Sequence, residues 1–198
     1  MDGLPFSQAC ENNKQAILAR IRPLLEDREQ VLEIGSGTGQ HAVHFAAAMP
    51  ALNWMPTEIE SQLPVLSPRC DAFAGANVAT PAALDVCARP WPVPVPDAMY
   101  TANTLHIMPW SAVESFFGWL ADSAPEDFLL LVYGPFNYGG RYTADSNARF
   151  DEWLKERDPL SGIRDFEAVD ALAGQAGLSL IVDEAMPANN RLLAWRRG

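Results

Sequence analysis

Apolar residues recur at helical spacing near the start of the chain. Ile17, Leu18, Ile21, Leu24 and Leu25 share one face, which predicts an amphipathic helix. Pro23 lacks a backbone donor and is expected to kink or shorten its last turn. The period then changes. Residues 30–34 (QVLEI) form a short apolar run that reads as a strand, and it ends at a cluster of glycines. Ala42, Val43, Phe45, Ala46 and Ala47 mark the buried face of a second helix. Further strands are expected at 52–55, 82–86, 97–101 and 128–133. The last is the most apolar, so it is expected to be the central strand. Val113, Phe116, Phe117 and Leu120 predict a helix, as do Phe150, Trp153 and Leu154. A further helix, with Phe166, Val169, Leu172 and Ala173, stops at Gly177, a natural left-handed cap. Residues 178–182 and 191–195 read as the last two strands.

The links between these elements decide the topology. Most are long enough for the right-handed crossovers that parallel pairing requires. The link from the third strand to the fourth carries Pro90, Pro92, Pro94 and Pro96, so an extended loop is expected there instead of a helix. The last two strands are joined by a loop too short for a crossover and must pair antiparallel. The expected fold is α/β: a Rossmann-like, doubly wound, seven-stranded sheet, mostly parallel with an antiparallel last strand. A single domain over 1–198 is expected. Within it, 1–26 is an amino-terminal helical lid and 134–166 an insertion on the substrate side.

Composition narrows the partners. The chain of 198 residues has a formal charge of −11 and no run of Lys or Arg, so phosphate backbones repel it and nucleic acid is not an expected partner. No apolar stretch is long enough to span a bilayer. Residues 1–5 (MDGLP) lack the basic start and apolar core of a secretion signal, which makes the cytoplasm the expected location. Cys10, Cys70 and Cys87 are widely spaced and read as free thiols. His41 and His44 lie three apart on a predicted helix, but without the glutamate and spacing of a zinc-protease helix. No metal site is expected.

The most informative stretch is Glu33-x-Gly35-x-Gly37-x-Gly39 with Gln40 behind it. Glycines directly after a first strand allow a tight turn and bring backbone amides against a ligand. A helix start behind them adds partial positive charge. The third glycine of the nicotinamide pattern is replaced by Gln40. An acidic residue ahead of the turn suits a ligand carrying positive charge. The alternative is a tight strand-to-helix turn that binds nothing. Glu58, after the second strand, stands where a nucleoside site places its ribose carboxylate; the alternative is a solvent-facing acid beside Glu60.

This E-x-G-x-G-x-G stretch resembles motif I of the class I S-adenosylmethionine-dependent methyltransferases. The similarity extends along most of the chain to the DUF938, or methyltransferase-like protein 26, family. The matching segments begin with Ser7-x-Ala9-x-Glu11-x-Asn13, residues 32–41, residues 83–86 and Asn103-x-x-His106-x-x-Pro109-Trp110. They continue at 133–136, 139–141, Ser146-Asn147, 157–159, 162–165 and 186–190. The resemblance implies a methyltransferase fold and S-adenosyl-L-methionine as cofactor. The residues it assigns to that cofactor are Asn13, Glu33, Gly35, Ser36, Gly37, Gly39, Gln40, His41, Glu58, Asp85, Val86 and Asn103. Asp85 resembles the family residue that accepts from the adenine amino group. Two departures stand out: Asn12 replaces the family's arginine and Glu58 its aspartate.

On the acceptor side, His106 follows the fourth strand, and its ordinary pKa near 6.5 suits a base. It can equally be a core histidine satisfied by backbone groups beneath Trp110. Tyr133 ends the fifth strand and opens a loop rich in glycine and aromatics, which carries Arg141. His106, Tyr133 and Arg141 are the expected catalytic set. Asn147, Arg164, Asn189 and Asn190 are expected to contact a small-molecule methyl acceptor. Two arginines at that mouth suggest an anionic group on the acceptor. Arg157 can instead be an ordinary helix-surface charge, paired with Glu152 or Glu156. The rival readings are a non-catalytic S-adenosylmethionine-binding module acting through a protein partner, a nicotinamide-dependent oxidoreductase and an aminopropyl transferase.

Overall fold

The computed structural model describes residues 3–198. Met1 and Asp2, which open the stretch read for a secretion signal and the expected lid, lie outside the described residues. Helix α1 (Gln8–Leu24) starts where the Ser7 side chain accepts from the Cys10 amide, and it buries Ile17, Leu18 and Ile21. It ends one residue after Pro23, in keeping with the expected shortening of its last turn. Strand β1 (Gln30–Ile34), helix α2 (Gln40–Ala48) and strand β2 (Asn53–Glu58) follow. A single 3-10 turn over Glu60–Gln62 leads into helix α3 (Leu63–Asp71). Next come strands β3 (Ala82–Ala83) and β4 (Ala98–Ala102), helix α4 (Trp110–Ser123) and strand β5 (Leu129–Gly134). The carboxyl-terminal part holds β6 (Phe136–Asn137), α5 (Asp145–Arg157), β7 (Arg164–Asp165) and α6 (Phe166–Gln175). It closes with β8 (Leu178–Met186), the turn Pro187–Asn189 and β9 (Asn190–Arg197).

Seven strands form one sheet in the order β3-β2-β1-β4-β5-β9-β8. β1 runs parallel to both β2 and β4, and β2 parallel to β3. β9 is antiparallel to β5 and to β8. The fold is therefore α/β with a mostly parallel sheet and an antiparallel last strand. Gly177 caps α6 with φ 75°. Residues 84–97 hold no helix or strand, in keeping with their alternating prolines.

Several expectations need correction. β2 runs on to Glu58, while β3 keeps only two residues of the expected 82–86. Helix α3 was not apparent from the pattern because Pro64 and Pro68 read as breakers. Pro64 sits in the first turn, where no amide partner is needed, and Pro68 lies inside the helix. The middle of the strand order is β4, not β5, although every residue of β5 is buried. A separate two-stranded ribbon pairs β6 with β7 in parallel; two residues are too few to leave a periodic signal. Among the described residues no helix is long and apolar enough to cross a membrane.

The chain forms two compact units, one running to Thr101 and the other from Ala102 to Gly198. In the first, Phe45, Trp54 and Tyr100 pack ring against ring at 5.5–5.7 Å. All three are fully buried, and each contributes roughly 1.5–3 kcal/mol by leaving water. In the second, Val113, Phe116 and Leu120 of α4 are buried, as expected from their spacing. Trp195 is also buried there and donates its indole N–H to Asp170 at 2.8 Å.

Candidate functional site

In the first unit the turn between β1 and α2 is built by three glycines. Gly35, Gly37 and Gly39 have φ of 71°, 54° and 73°, a region that costs other residues about 1–2 kcal/mol. Gly37 and Gly39 differ in their surroundings. A Cβ at Gly39 would meet Leu66 Cδ1 at 3.0 Å and Cys70 Sγ at 3.5 Å, whereas one at Gly37 would meet nothing within 4 Å. Gly39 therefore serves the packing of α3, and Gly37 lines open space. The Gly37 amide donates to Glu58 Oε2 at 3.0 Å, while Glu58 Oε1 accepts from the Ile59 amide at 3.0 Å. A half-exposed carboxylate thus stands directly against the open glycine.

Glu33 is 2 % exposed. Its carboxylate accepts from the Trp54 indole N–H at 2.8 Å and is also hydrogen-bonded by Ser36. Burial outweighs these bonds and pushes its pKa up to about 7. Ser36 further joins the two strands, since its amide donates to Thr57 O and its hydroxyl accepts from the Thr57 amide. Asp85 is exposed in a turn beyond β3, where one oxygen accepts from the Cys87 amide at 2.8 Å; neighbouring Val86 is buried.

Gln40, His41 and Asn13 are occupied by the fold itself. Gln40 Oε1 accepts from the Ser7 amide at 2.5 Å and from Thr38 Oγ1 at 3.0 Å, and its Nε2 donates to Glu11 at 3.3 Å. His41 Nε2 lies 2.7 Å from Asn13 Oδ1 and its Nδ1 lies 3.4 Å from the Tyr100 hydroxyl. Burial pushes the His41 pKa down to about 4. Arg69 donates from Nε to Thr38 O at 2.8 Å and from a terminal nitrogen to Pro5 O at 2.5 Å. The amino-terminal segment is thereby fastened beside the glycine turn, and its Ser-x-Ala-x-Glu-x-Asn spacing is explained. Sequence reasoning missed Trp54 and Arg69, whose roles have no local signature. Among the described residues no group of three His, Cys, Asp or Glu is placed to hold a metal.

In the second unit Asn103 adopts φ 57° just beyond β4, and its amide donates to Tyr133 O at 2.8 Å. A Cβ on Gly134 would lie 3.7 Å from His106 Nδ1 and 3.9 Å from Asn103 Oδ1, so these three residues converge. His106 is 5 % exposed and meets the Phe150 ring edge-on at 5.4 Å. Its expected pKa is corrected: burial first, and then the charge of Arg164, push it down to about 4. Tyr133 is buried within β5 and does not end it, because the strand includes Gly134. Arg141 is exposed and closes a tight turn, exchanging both backbone hydrogen bonds with Tyr138 at 3.0 Å across Gly139 and Gly140.

The residues expected to contact an acceptor make hydrogen bonds within the protein. Arg164 uses two of its three guanidinium nitrogens on backbone carbonyls. It donates to Leu105 O at 3.0 Å, Leu160 O at 3.0 Å and Met108 O. Asn147 Nδ2 donates to Thr143 Oγ1 and to Asn189 O, while Asn189 Nδ2 donates to Ser146 Oγ. Asn190 Nδ2 turns back to Pro187 O and Ala188 O. These amides fasten the β8–β9 turn to the start of α5, where Ala188 and Asn189 both have φ 58°. Arg157 lies over the Trp153 ring at 4.5 Å, not on a glutamate. Asp151 was missed. It is 2 % exposed and accepts from the Tyr142 hydroxyl, Lys155 Nζ and the Ile163 amide at 2.5–2.6 Å.

Over residues 4–197 the sequence matches a family described as a protein of unknown function, DUF938. The chain belongs to the DUF938 family. This DUF938 chain also resembles solved methyltransferase structures. The mitomycin 7-O-methyltransferase MmcR superposes with a TM-score of 0.81 at 17 % identity, over 96 % of this chain and 54 % of that one. Human N-acetylserotonin methyltransferase, solved in complex with S-adenosylmethionine, gives 0.80 at 15 % identity, over 96 % and 53 %. The S-adenosylmethionine-dependent methyltransferase SibL gives 0.79 at 20 % identity, over 96 % and 55 %. The DUF938 chain spans about half the length of these structures, and the likeness is one of fold.

Proposed function

We propose that this protein is an S-adenosylmethionine-dependent methyltransferase acting on a small organic molecule. The observation that carries the reading is the turn after β1, where Gly37 faces open space with the Glu58 carboxylate on its amide. A nucleoside fits that pairing, because a close backbone approach needs glycine and a carboxylate accepts both ribose hydroxyls. Gly35, Gly37 and Glu58 hold the amino-acid and sugar parts, and Asp85 the base. Glu33 and Ser36 shape the turn from behind. Gln40, His41 and Asn13 act indirectly by keeping the amino-terminal segment beside it.

The cofactor supplies a methyl group that is already activated, so the chain's contribution is alignment in a near-attack geometry. His106, neutral down to about pH 4, is a weak base that keeps a fixed neutral ring. The acceptor it suits arrives with its nucleophilic atom already free at neutral pH. An anionic acceptor meets that condition, and exposed Arg141 is the expected residue to contact it.

Calorimetry on the purified protein tests the cofactor half, with S-adenosylmethionine and S-adenosylhomocysteine as titrants. Binding that Glu58→Ala weakens at least tenfold is expected, and no heat from either ligand sinks the reading. Labelled methyl transfer into a metabolite extract then separates an enzyme from a binding module. Incorporation that Arg141→Ala reduces supports the enzyme.

A further inference from the structure

Four consecutive carbonyls after β4 are each held by one short segment. Leu105 O accepts from Arg164 Nε at 3.0 Å, and His106 O from the Gly162 amide at 2.8 Å. Ile107 O accepts from Ser161 Oγ at 3.1 Å, and Met108 O from an Arg164 terminal nitrogen. Residues 161–164 therefore form a buckle over the His106 loop. The buckle is pinned from below by one carboxylate. Asp151 Oδ1 accepts from the Ile163 amide at 2.6 Å, and Oδ2 takes the Tyr142 hydroxyl and Lys155 Nζ. The fit is close, since a Cβ on Gly162 would lie 3.0 Å from Asp151 Oδ1 and 3.0 Å from Lys155 Cε.

We infer that Asp151 is a positioning residue that acts through this buckle to fix the loop carrying His106. A carboxylate this buried is costly unless both oxygens are hydrogen-bonded. Here its three bonds reach α5 itself, the segment after it and Tyr142, beside the exposed Arg141. The consequence is a rigid His106 loop whose imidazole stays beside Phe150 and the Arg164 charge, and which is tied through Tyr142 to the turn bearing Arg141. The inference rests on reading His106 and Arg141 as acceptor-side residues, but its physical content is tested without an acceptor.

The experiment compares hydrogen exchange and the His106 imidazole NMR titration in the intact protein, Asp151→Ala, Asp151→Asn and Arg164→Lys. In Asp151→Ala, amide exchange over 104–108 should accelerate at least tenfold while 31–34 stays protected. The His106 midpoint should rise from about 4 towards 6.5 as the ring becomes solvated. Asp151→Asn keeps an oxygen for the Ile163 amide and should restore most of the protection. Arg164→Lys loses the fork that spans two of the carbonyls and should accelerate exchange several-fold. The Arg164→Lys variant decides whether the buckle holds the loop if Asp151→Ala does not fold. Unchanged exchange over 104–108 and an unchanged His106 midpoint in a folded Asp151→Ala, or in Arg164→Lys, overturns the inference. The cofactor calorimetry is independent of this result.

Discussion

At the scale of single residues, the two later glycines of the turn differ in what surrounds them, packed side chains at Gly39 and open space at Gly37. Gly39→Ala forces a Cβ against Leu66 and should lower stability by more than about 2 kcal/mol in urea denaturation. Gly37→Ala carries only the backbone strain, about 1–2 kcal/mol, yet should reduce S-adenosylmethionine affinity at least tenfold by calorimetry. Glu33 gives a pH signature. Its folded pKa of about 7 lies above its ordinary value near 4.5, so between those values the folded state holds the proton more tightly. Its contribution to stability is therefore present below pH 4.5 and is lost as pH rises through 7. Glu33→Gln, which keeps an acceptor for Trp54, should match the parent at pH 4.5 and exceed it at pH 8 by up to about 3 kcal/mol. Thermal melts at both pH values check this. His41 and His106 act in the opposite direction. Their pKa values are depressed to about 4, so their contribution is full above pH 6.5 and is lost as pH falls to 4.

At the scale of elements, the first turns of α1 are joined to the glycine turn by Gln40 and Arg69, through Ser7, Glu11 and Pro5. If the glycine turn binds the cofactor as proposed, a segment fastened beside it should respond to that binding. Deleting residues 1–12 should weaken S-adenosylmethionine binding at least fivefold in calorimetry, and Arg69→Ala should do so less severely. Unchanged affinity in the deletion removes any lid role from this segment. The β8–β9 turn has a different duty. Its asparagines hold α5, so Asn189→Ala should lower the melting temperature without changing cofactor affinity.

At the scale of the molecule, the charge of −11 acts over distances longer than any single contact. We expect no binding of duplex DNA or RNA at 150 mM salt in fluorescence anisotropy, because no basic run offsets the repulsion. Methyl transfer that depends on alignment and not on His106 as a base should be flat from pH 6 to 8. A rate limb near pH 6.5 that His106→Asn removes would restore the histidine to that role.

Most of the alternation of strands and helices, the antiparallel last strand and the glycine turn could be read from the chain. Each depends on a period, a loop length or a residue type that acts within a few neighbours. Helix α3 was hidden, since proline signals a break locally even where a first turn tolerates it. Which polar residues face a ligand could not be read in this way. Arg164, Asn147 and Asn189 carry the right chemistry for a substrate, yet each donates to an oxygen more than forty residues away in the chain. Glu33 and His106 have ordinary residue types but displaced pKa values, because burial is a property of what packs around them. Local pattern determined the scaffold, and only the meeting of distant segments decided which side chains remain available for chemistry.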